Sequence, residues 1–443
     1  MLRKFFGAVL PSMLAFAFSG LYTIVDGFFI GRNIGDLGLA AVNIAYPMAA
    51  TVQAVGTGIG MGGAVWISLC RGKQDDEGQR TCLGNTLTLL LFGGLCLMAL
   101  LFAVCGPVLR LSGAEGGVYD AAMVYIRILI GGSLLQLSAT GFAPLIRNYG
   151  GAVVAMVSMI AGFVTNIVLD YMFVAVYPFG VAGAAAATVI GQGVTVIPCI
   201  LFMWAKVKGI HMEDFLLKKE YALRILGTGL SPFGLTISPF LVIMLINKNA
   251  SVYGGEAAVA AYAVVSYVVA IVQLLLQGIG DGSQPLMSFY LGIGKPEKAK
   301  AVRNMAYIFA AAVAVVNVAA LFALRTVIPG FFGASATAFP IVAASLPVFS
   351  AGFIFNAFCR TTTSYFYATK RNVFSYIMVY GEPVLLCVIL AAALPPVLGL
   401  EGVWMSVPVT QAVLSLMGGT LLRLDVGDGR AADLCKTYKK TTD

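Results

Sequence analysis

Apolar stretches long enough to cross about 30 Å of hydrocarbon as helices alternate with short polar punctuation along this chain. They fall at 7–31, 39–69, 83–105, 118–144, 151–176 and 180–205, then at 228–248, 257–290, 302–324, 335–366, 373–394 and 399–422. A longer polar stretch separates the sixth from the seventh. The pattern predicts an all-α integral membrane protein of twelve transmembrane helices in two pseudo-symmetric six-helix bundles. The expected organisation is an N-terminal lobe at 1–205, a cytoplasmic linker at 206–226, a C-terminal lobe at 227–422 and a cytoplasmic tail at 423–443.

Composition leads to the same class. Hydrophobic residues make up 59% of the chain and charged ones 11%, where a soluble globule carries about 25% charged residues. The basic residues then orient the spans. One set of connections, with the two termini, holds 22 Lys and Arg; the other holds only Arg32, Arg110, Lys248 and Arg325. By the positive-inside rule both termini are expected in the cytoplasm, here of a prokaryote whose plasma membrane holds a multi-pass protein. The net charge of +8 sits in loops facing anionic lipid, so the partners expected are the bilayer and a small-molecule substrate, with no nucleic acid and with the protein as a monomer.

The start, Arg3-Lys4 before an apolar run, imitates a cleavable signal, but the run continues to Ile30 and is read as an uncleaved first helix. The eight cysteines form no CxxC pair, which indicates neither disulfides nor a zinc site. Walker A and HExxH motifs are absent, and His211 is the only histidine. The reading is therefore not an enzyme, and no cofactor is expected apart from a coupling ion.

The chain repeats itself. Gly58-Ile59-Gly60-Met61-Gly62 recurs as Gly278-Ile279-Gly280-Asp281-Gly282, and the same offset of 220 pairs Ser68 with Ser288, Gly35 with Gly255 and Ala41 with Ala261. At an offset of 219, Gly180, Gly183 and Gln192 meet Gly399, Gly402 and Gln411. Six helices per half make the repeats parallel, related by an axis along the membrane normal, and two similar bundles that rock against each other suit alternating access. The halves differ in their acids: Asp26 corresponds to Ile246 and Asp170 to Ile389.

Those acids are the candidate chemistry. A carboxylate inside a membrane helix costs roughly 2.5–3.5 kcal/mol even on lenient insertion scales, so it is rarely there without a use. Asn166 and Asp170 are four apart and share a face of the fifth helix. Asp170 precedes, and Thr188 follows, the turn at Tyr177-Pro178-Phe179-Gly180 by nine positions, which places both about 13 Å in from it. Asp26 stands roughly 12 Å from its own loop. Carboxylate, amide and hydroxyl oxygens of this kind suit Na+; two carboxylates in a poorly solvated site suit a proton equally well.

Leu21-Tyr22-Thr23-Ile24-Val25-Asp26, Asn166-Ile167-Val168-Leu169-Asp170 and Gly280-Asp281-Gly282-Ser283-Gln284-Pro285 resemble signatures of the multidrug and toxic compound extrusion (MATE) family. The resemblance covers the chain to about Leu422. It implies a secondary antiporter that exports organic, often cationic, drugs or metabolites in exchange for inward Na+ or H+. It also implies that Asp26, Asn166, Asp170 and Thr188 form the cation or proton site of the first lobe, and that Pro11 is a hinge where the first helix bends, a missing backbone donor making bending easy. Tyr22, Asp281, Gln284 and Glu382 are candidates for the substrate cavity. Many relatives carry a basic residue where this chain has Tyr380-Gly381-Glu382-Pro383. Glu382 is read either as a second substrate or proton group or as a cap for a helix interrupted at Pro383. A flippase for a lipid-linked precursor, or an exporter of one metabolite, stands as the alternative.

Overall fold

In the computed structural model residues 1–332 and 335–427 are described, and every regular element among them is helical. The part of the expected tail at 428–443, with Arg430, Cys435, Lys436, Lys439 and Lys440, lies outside the described residues. The membrane helices are α1 (Leu2–Asn33), α2 (Asp36–Lys73) and α3 (Asp76–Leu111). Next come α4, bent by 55° between Gly116–Gly131 and Ser133–Asn148, then α5 (Ala152–Asp170) and α6 (Gly180–Lys206). The run Lys219–Gly292 would be about 111 Å long as one helix, more than three times the hydrocarbon core. It breaks at Gly255 (φ 62°, ψ −158°) into α7 (219–254) and α8 (256–292). Then follow α9 (Pro296–Leu324), α10 (Ala338–Ala368), α11 (Asn372–Ala392) and α12 (Leu400–Gly427). Among the described residues ten helices are long and apolar enough to cross a membrane; the bent α4 supplies an eleventh, and the break at Gly255 makes two spans of one, giving twelve.

The duplication is visible in the backbone. Gly35 (φ 78°, ψ −160°) and Gly255 hold the same conformation, nearly closed to any residue with a Cβ, at the repeat offset. Positive φ recurs at the other related turns: Gln74 and Gly294, Gly150 and Lys370, Gly180 and Gly399. Turn geometry has persisted where side chains have diverged.

The chain forms two compact units, Met1–Ile237 and Ser238–Asp443. In the first, α2 is central and packs against α3 and both parts of α4, while α5 lies against α1 and α6. Glycines make this approach close. A Cβ on Gly60 would come within 2.3 Å of the Gly141 carbonyl oxygen, and one on Gly62 within 2.1 Å of the Ile225 carbonyl oxygen. Without a hydrophobic force between helices in lipid, such backbone approach is a main source of cohesion. Ile59, Ile67, Leu83, Leu90, Ile126 and Leu137 belong to the buried cluster around it. In the second unit α10 packs on α9, α11 and α12. Tyr262 stacks on Trp404 at 6.0 Å between ring centroids and meets Phe349 at 5.8 Å. Phe92, Leu100, Ile308 and Val316 remain exposed, as lipid-facing side chains should be.

The connection after α6 is docked rather than slack. Met212–Phe215 forms a 3-10 turn against α3. Fully buried Asn85 donates from Nδ2 to the carbonyls of Asp214 and Leu216 (both 3.2 Å) and accepts from the Lys218 amide at 2.8 Å. Thr81 donates to Asp214 and Thr88 to the Phe215 carbonyl, while Gly84 leaves room for the turn, since a Cβ there would lie 2.1 Å from the Asp214 oxygen. Trp66 Nε1 reaches the Arg224 carbonyl and Thr228 Oγ1, both at 3.1 Å, which ties the beginning of α7 into the first unit. Asn85→Ala is expected to speed trypsin cleavage at Lys206, Lys208, Lys218 and Lys219 on the order of tenfold, by removing three bonds and leaving buried carbonyls unpaired. Unchanged cleavage would mean that Asn85 does not hold the segment.

Candidate functional site

Small residues build the site. On α5 and α6, Gly162 and Gly191 are in backbone contact: a Cβ on Gly162 would lie 2.6 Å from the Gly191 oxygen and 1.9 Å from Thr195 Oγ1. A Cβ on Gly191 would fall 3.0 Å from that of Asn166. With the helices so close, Asn166 and Thr188, each about one turn from its glycine toward the connection between the helices, are within reach of each other.

Asp170 and Asn166 are 1% and 2% exposed. With its nitrogen turned toward the acid, the Asn166 amide donates to Asp170 Oδ2 at 3.0 Å and its oxygen accepts from the Thr188 N–H at 3.1 Å. This orientation satisfies both ends of the amide; the reverse leaves a 3.5 Å contact from Nδ2 to Thr188 Oγ1. From α1, half-buried Asp26 comes within hydrogen-bonding reach of Asp170, carboxyl to carboxyl. Each acid keeps one buried oxygen, Asp26 Oδ1 and Asp170 Oδ1, without a hydrogen-bond partner. Among the described residues neither has an ion pair. Two facing carboxylates cannot both stay ionised in such a place without a positive charge, so the pair must share a proton or hold a cation.

Tyr22, one turn before Asp26, stacks flat on Phe163 (5.1 Å, 7°), with its hydroxyl in hydrogen-bonding reach of the Thr188 side chain. The structure thus brings Tyr22, Asp26, Asn166, Asp170 and Thr188 together from three helices. Two features escaped the sequence reading. Buried Tyr125 of α4 lies within electrostatic reach of both acids; a lone tyrosine in an apolar run carries no signal of this. Directly after Asp170 the helix widens into a π turn, Tyr171–Val176, and the Tyr177 amide bonds the Met172 carbonyl at 2.7 Å. Such turns often accompany functional sites. Gly183 makes room for it, since a Cβ there would lie 2.6 Å from the Phe173 oxygen.

A family model described as MatE matches residues 11–172 and 233–392. The chain belongs to the MatE family. Among its relatives, the multidrug export protein MepA of Staphylococcus saprophyticus subsp. saprophyticus is 24% identical over 284 residues, 63% of this chain. The chain spans only 62% of the length of that relative. MepA of Staphylococcus haemolyticus is 22% identical over 316 residues, 70% of each protein. An outward-facing multidrug resistance MATE transporter of the MOP superfamily matches with a TM-score of 0.88 at 23% identity, over 98% of this chain and 96% of that one. A MOP superfamily transporter from Pyrococcus furiosus, described by a binding pocket of reversed polarity that suggests a different function, matches at 0.87 and 22% identity over 96% of each chain. At these identities the structural likeness establishes the twelve-helix fold of this MatE protein.

The remaining candidates have separate surroundings. Pro11 is buried in α1, which runs unbroken from Leu2 to Asn33. Asp281 of α8 accepts from the Tyr367 hydroxyl at 2.6 Å, and Gln284 Nε2 donates to Ser288 Oγ at 2.9 Å; both residues are buried in helix packing. Glu382 of α11 accepts from Gln411 Nε2 at 2.6 Å and from Ser238 Oγ at 3.4 Å. These are side-chain donors on two other helices.

Proposed function

We propose that this MatE protein is a secondary antiporter that expels organic, often cationic, small molecules in exchange for inward Na+ or H+. It would work as a monomer in the plasma membrane of a prokaryote with both termini in the cytoplasm, an orientation that the skewed loop charge supports. The observation that carries the reading is the facing pair Asp26 and Asp170, each with an unpartnered buried oxygen. The multidrug export named for the staphylococcal relatives supports the direction and kind of cargo.

The carboxylates, the Thr188 hydroxyl and the Asn166 amide are hard oxygen donors, able to take a small cation or to pass one proton. Exchanging the shared proton for a cation, or reloading either from outside, changes what holds α1 against α5, because a different bridge then joins the two carboxyls. Tyr22 transmits the change, since it joins α1 to Phe163 of α5 and Thr188 of α6. For exchange, the ion must bind two conformations with different affinity, and the cargo must prefer the opposite one.

The test is ethidium efflux from proteoliposomes under an imposed Na+ gradient and, separately, an imposed proton gradient. Efflux driven by one or both is expected, and the effective gradient identifies the coupling ion. If neither gradient moves ethidium, the antiport reading fails and a lipid-linked cargo or a single metabolite becomes the better one.

A further inference from the structure

The docked connection between α6 and α7 carries a surface that the exchange chemistry does not use. Its backbone is fixed from below, because Thr81, Asn85 and Thr88 of α3 hold residues 214–218. Thr88 lies five residues inside the apolar run that begins at 83, or about 8 Å along the helix. Its bond to the Phe215 carbonyl therefore draws the turn down to the edge of the hydrocarbon instead of leaving it out in water.

Two kinds of side chain stand exposed on this fixed segment. Trp204, Met212 and Leu216 are 84%, 86% and 65% exposed. A pinned backbone cannot turn such large apolar groups back into the unit, and leaving them in water is unfavourable. Lys206, Lys208, Lys218 and Lys219 are exposed beside them, and among the described residues none of the four has an ion pair. The acids of the segment are largely used within the unit: Asp214 meets Arg80 at 4.0 Å and Glu220 meets Arg224, which leaves Glu213 against four lysines. Apolar groups at the level of acyl chains, beside ammonium groups on long stems that reach outward, fit the boundary of a bilayer with negative headgroups.

We infer that the connection at 204–219 is an interfacial anchor that gathers anionic phospholipid, with Trp204, Met212 and Leu216 set among the acyl chains and the four lysines on the phosphate headgroups. The apolar groups give the segment its depth, and the lysines select the headgroup by charge. The depth also favours lipid over a soluble protein, which would have to reach apolar groups level with the first turns of the α3 span. None of the residues of the Asp26–Asp170 pair takes part.

The experiment uses Trp204 as the reporter. The full-length protein is reconstituted in phosphatidylcholine vesicles that contain the same small fraction of a lipid brominated on its acyl chains, either phosphatidylglycerol or phosphatidylcholine. The tryptophan quenching that disappears in Trp204→Phe is the share of Trp204. Brominated phosphatidylglycerol is expected to quench that share more strongly than brominated phosphatidylcholine, on the order of fivefold. Replacing the four lysines together by Gln is expected to bring the ratio close to one, with a size-exclusion profile like that of wild type, since all four are exposed. Equal quenching by the two lipids in wild type overturns the inference, as does a preference that survives in the lysine variant. Quenching by neither lipid also overturns it, by placing Trp204 in water, where a soluble partner would be the occupant. No gradient and no cargo enter the measurement, so its outcome is separate from that of the antiport reading.

Discussion

Asp170→Asn is expected to abolish gradient-driven ethidium efflux while the protein still purifies as a folded monodisperse species. The substitution is nearly isosteric, and the new side chain keeps an oxygen to accept from Asn166, so the α5–α6 contact through Thr188 survives. What disappears is one of two facing carboxyls. Asp26 is left with a neutral neighbour and loses both the like charge that holds a shared proton and the second arm of a cation cage. Removing a carboxylate from a membrane helix also removes a cost, so stability should hold or rise. Coupling free energies of about 1–3 kcal/mol correspond to roughly 5- to 150-fold, so the driven rate should fall on the order of 100-fold, toward leak. Proteoliposomes carrying wild type and variant at equal density, under the same gradient, give the answer. Efflux at the wild-type rate would sink the assignment of this site.

Gly60→Val is expected to leave little folded protein. A Cβ at this position would stand 2.3 Å from the Gly141 carbonyl oxygen and 2.5 Å from its Cα, and both are backbone atoms of α4. No rotamer relieves that contact; α2 and α4 must part along a seam that includes Gly56 against Leu137. Overpacking typically costs about 1–3 kcal/mol where side chains can yield, and here they cannot, so the upper end or beyond applies. Gly7→Val is the matched control, because nothing lies within 4 Å of a Cβ there. Fluorescence-detected size exclusion over a temperature ramp should show Gly7→Val like wild type and Gly60→Val aggregated or strongly shifted downward. Equal melting of the two would refute the seam.

The fold was legible because its cause is local. A backbone in hydrocarbon has to satisfy its own hydrogen bonds, so an apolar run of sufficient length is a helix, and twelve such runs are twelve spans. The duplication was legible for a related reason: Gly35 and Gly255 occupy backbone conformations that side chains forbid, so glycine remains at both. The candidate acids were legible because charge in an apolar run is expensive.

The tertiary structure decided which residues meet. Helical spacing puts Asn166 and Asp170 on one face, but only the Gly162–Gly191 contact brings that face to Thr188, and only the packing of α1 on α5 brings Asp26 to Asp170. Tyr125 joined them with no sign in its neighbours along the chain. The π turn after Asp170 changes a hydrogen-bond register without changing hydropathy. The polar stretch after α6 read as a plain connection, yet Asn85, from within an apolar span, pins it to α3. Glu382 meets Gln411 and Ser238, side-chain partners on other helices that its own helix does not announce. The chain's hydropathy governs each helix against lipid, whereas a polar site depends on contacts between helices distant in sequence, and no pattern along one helix specifies its neighbour.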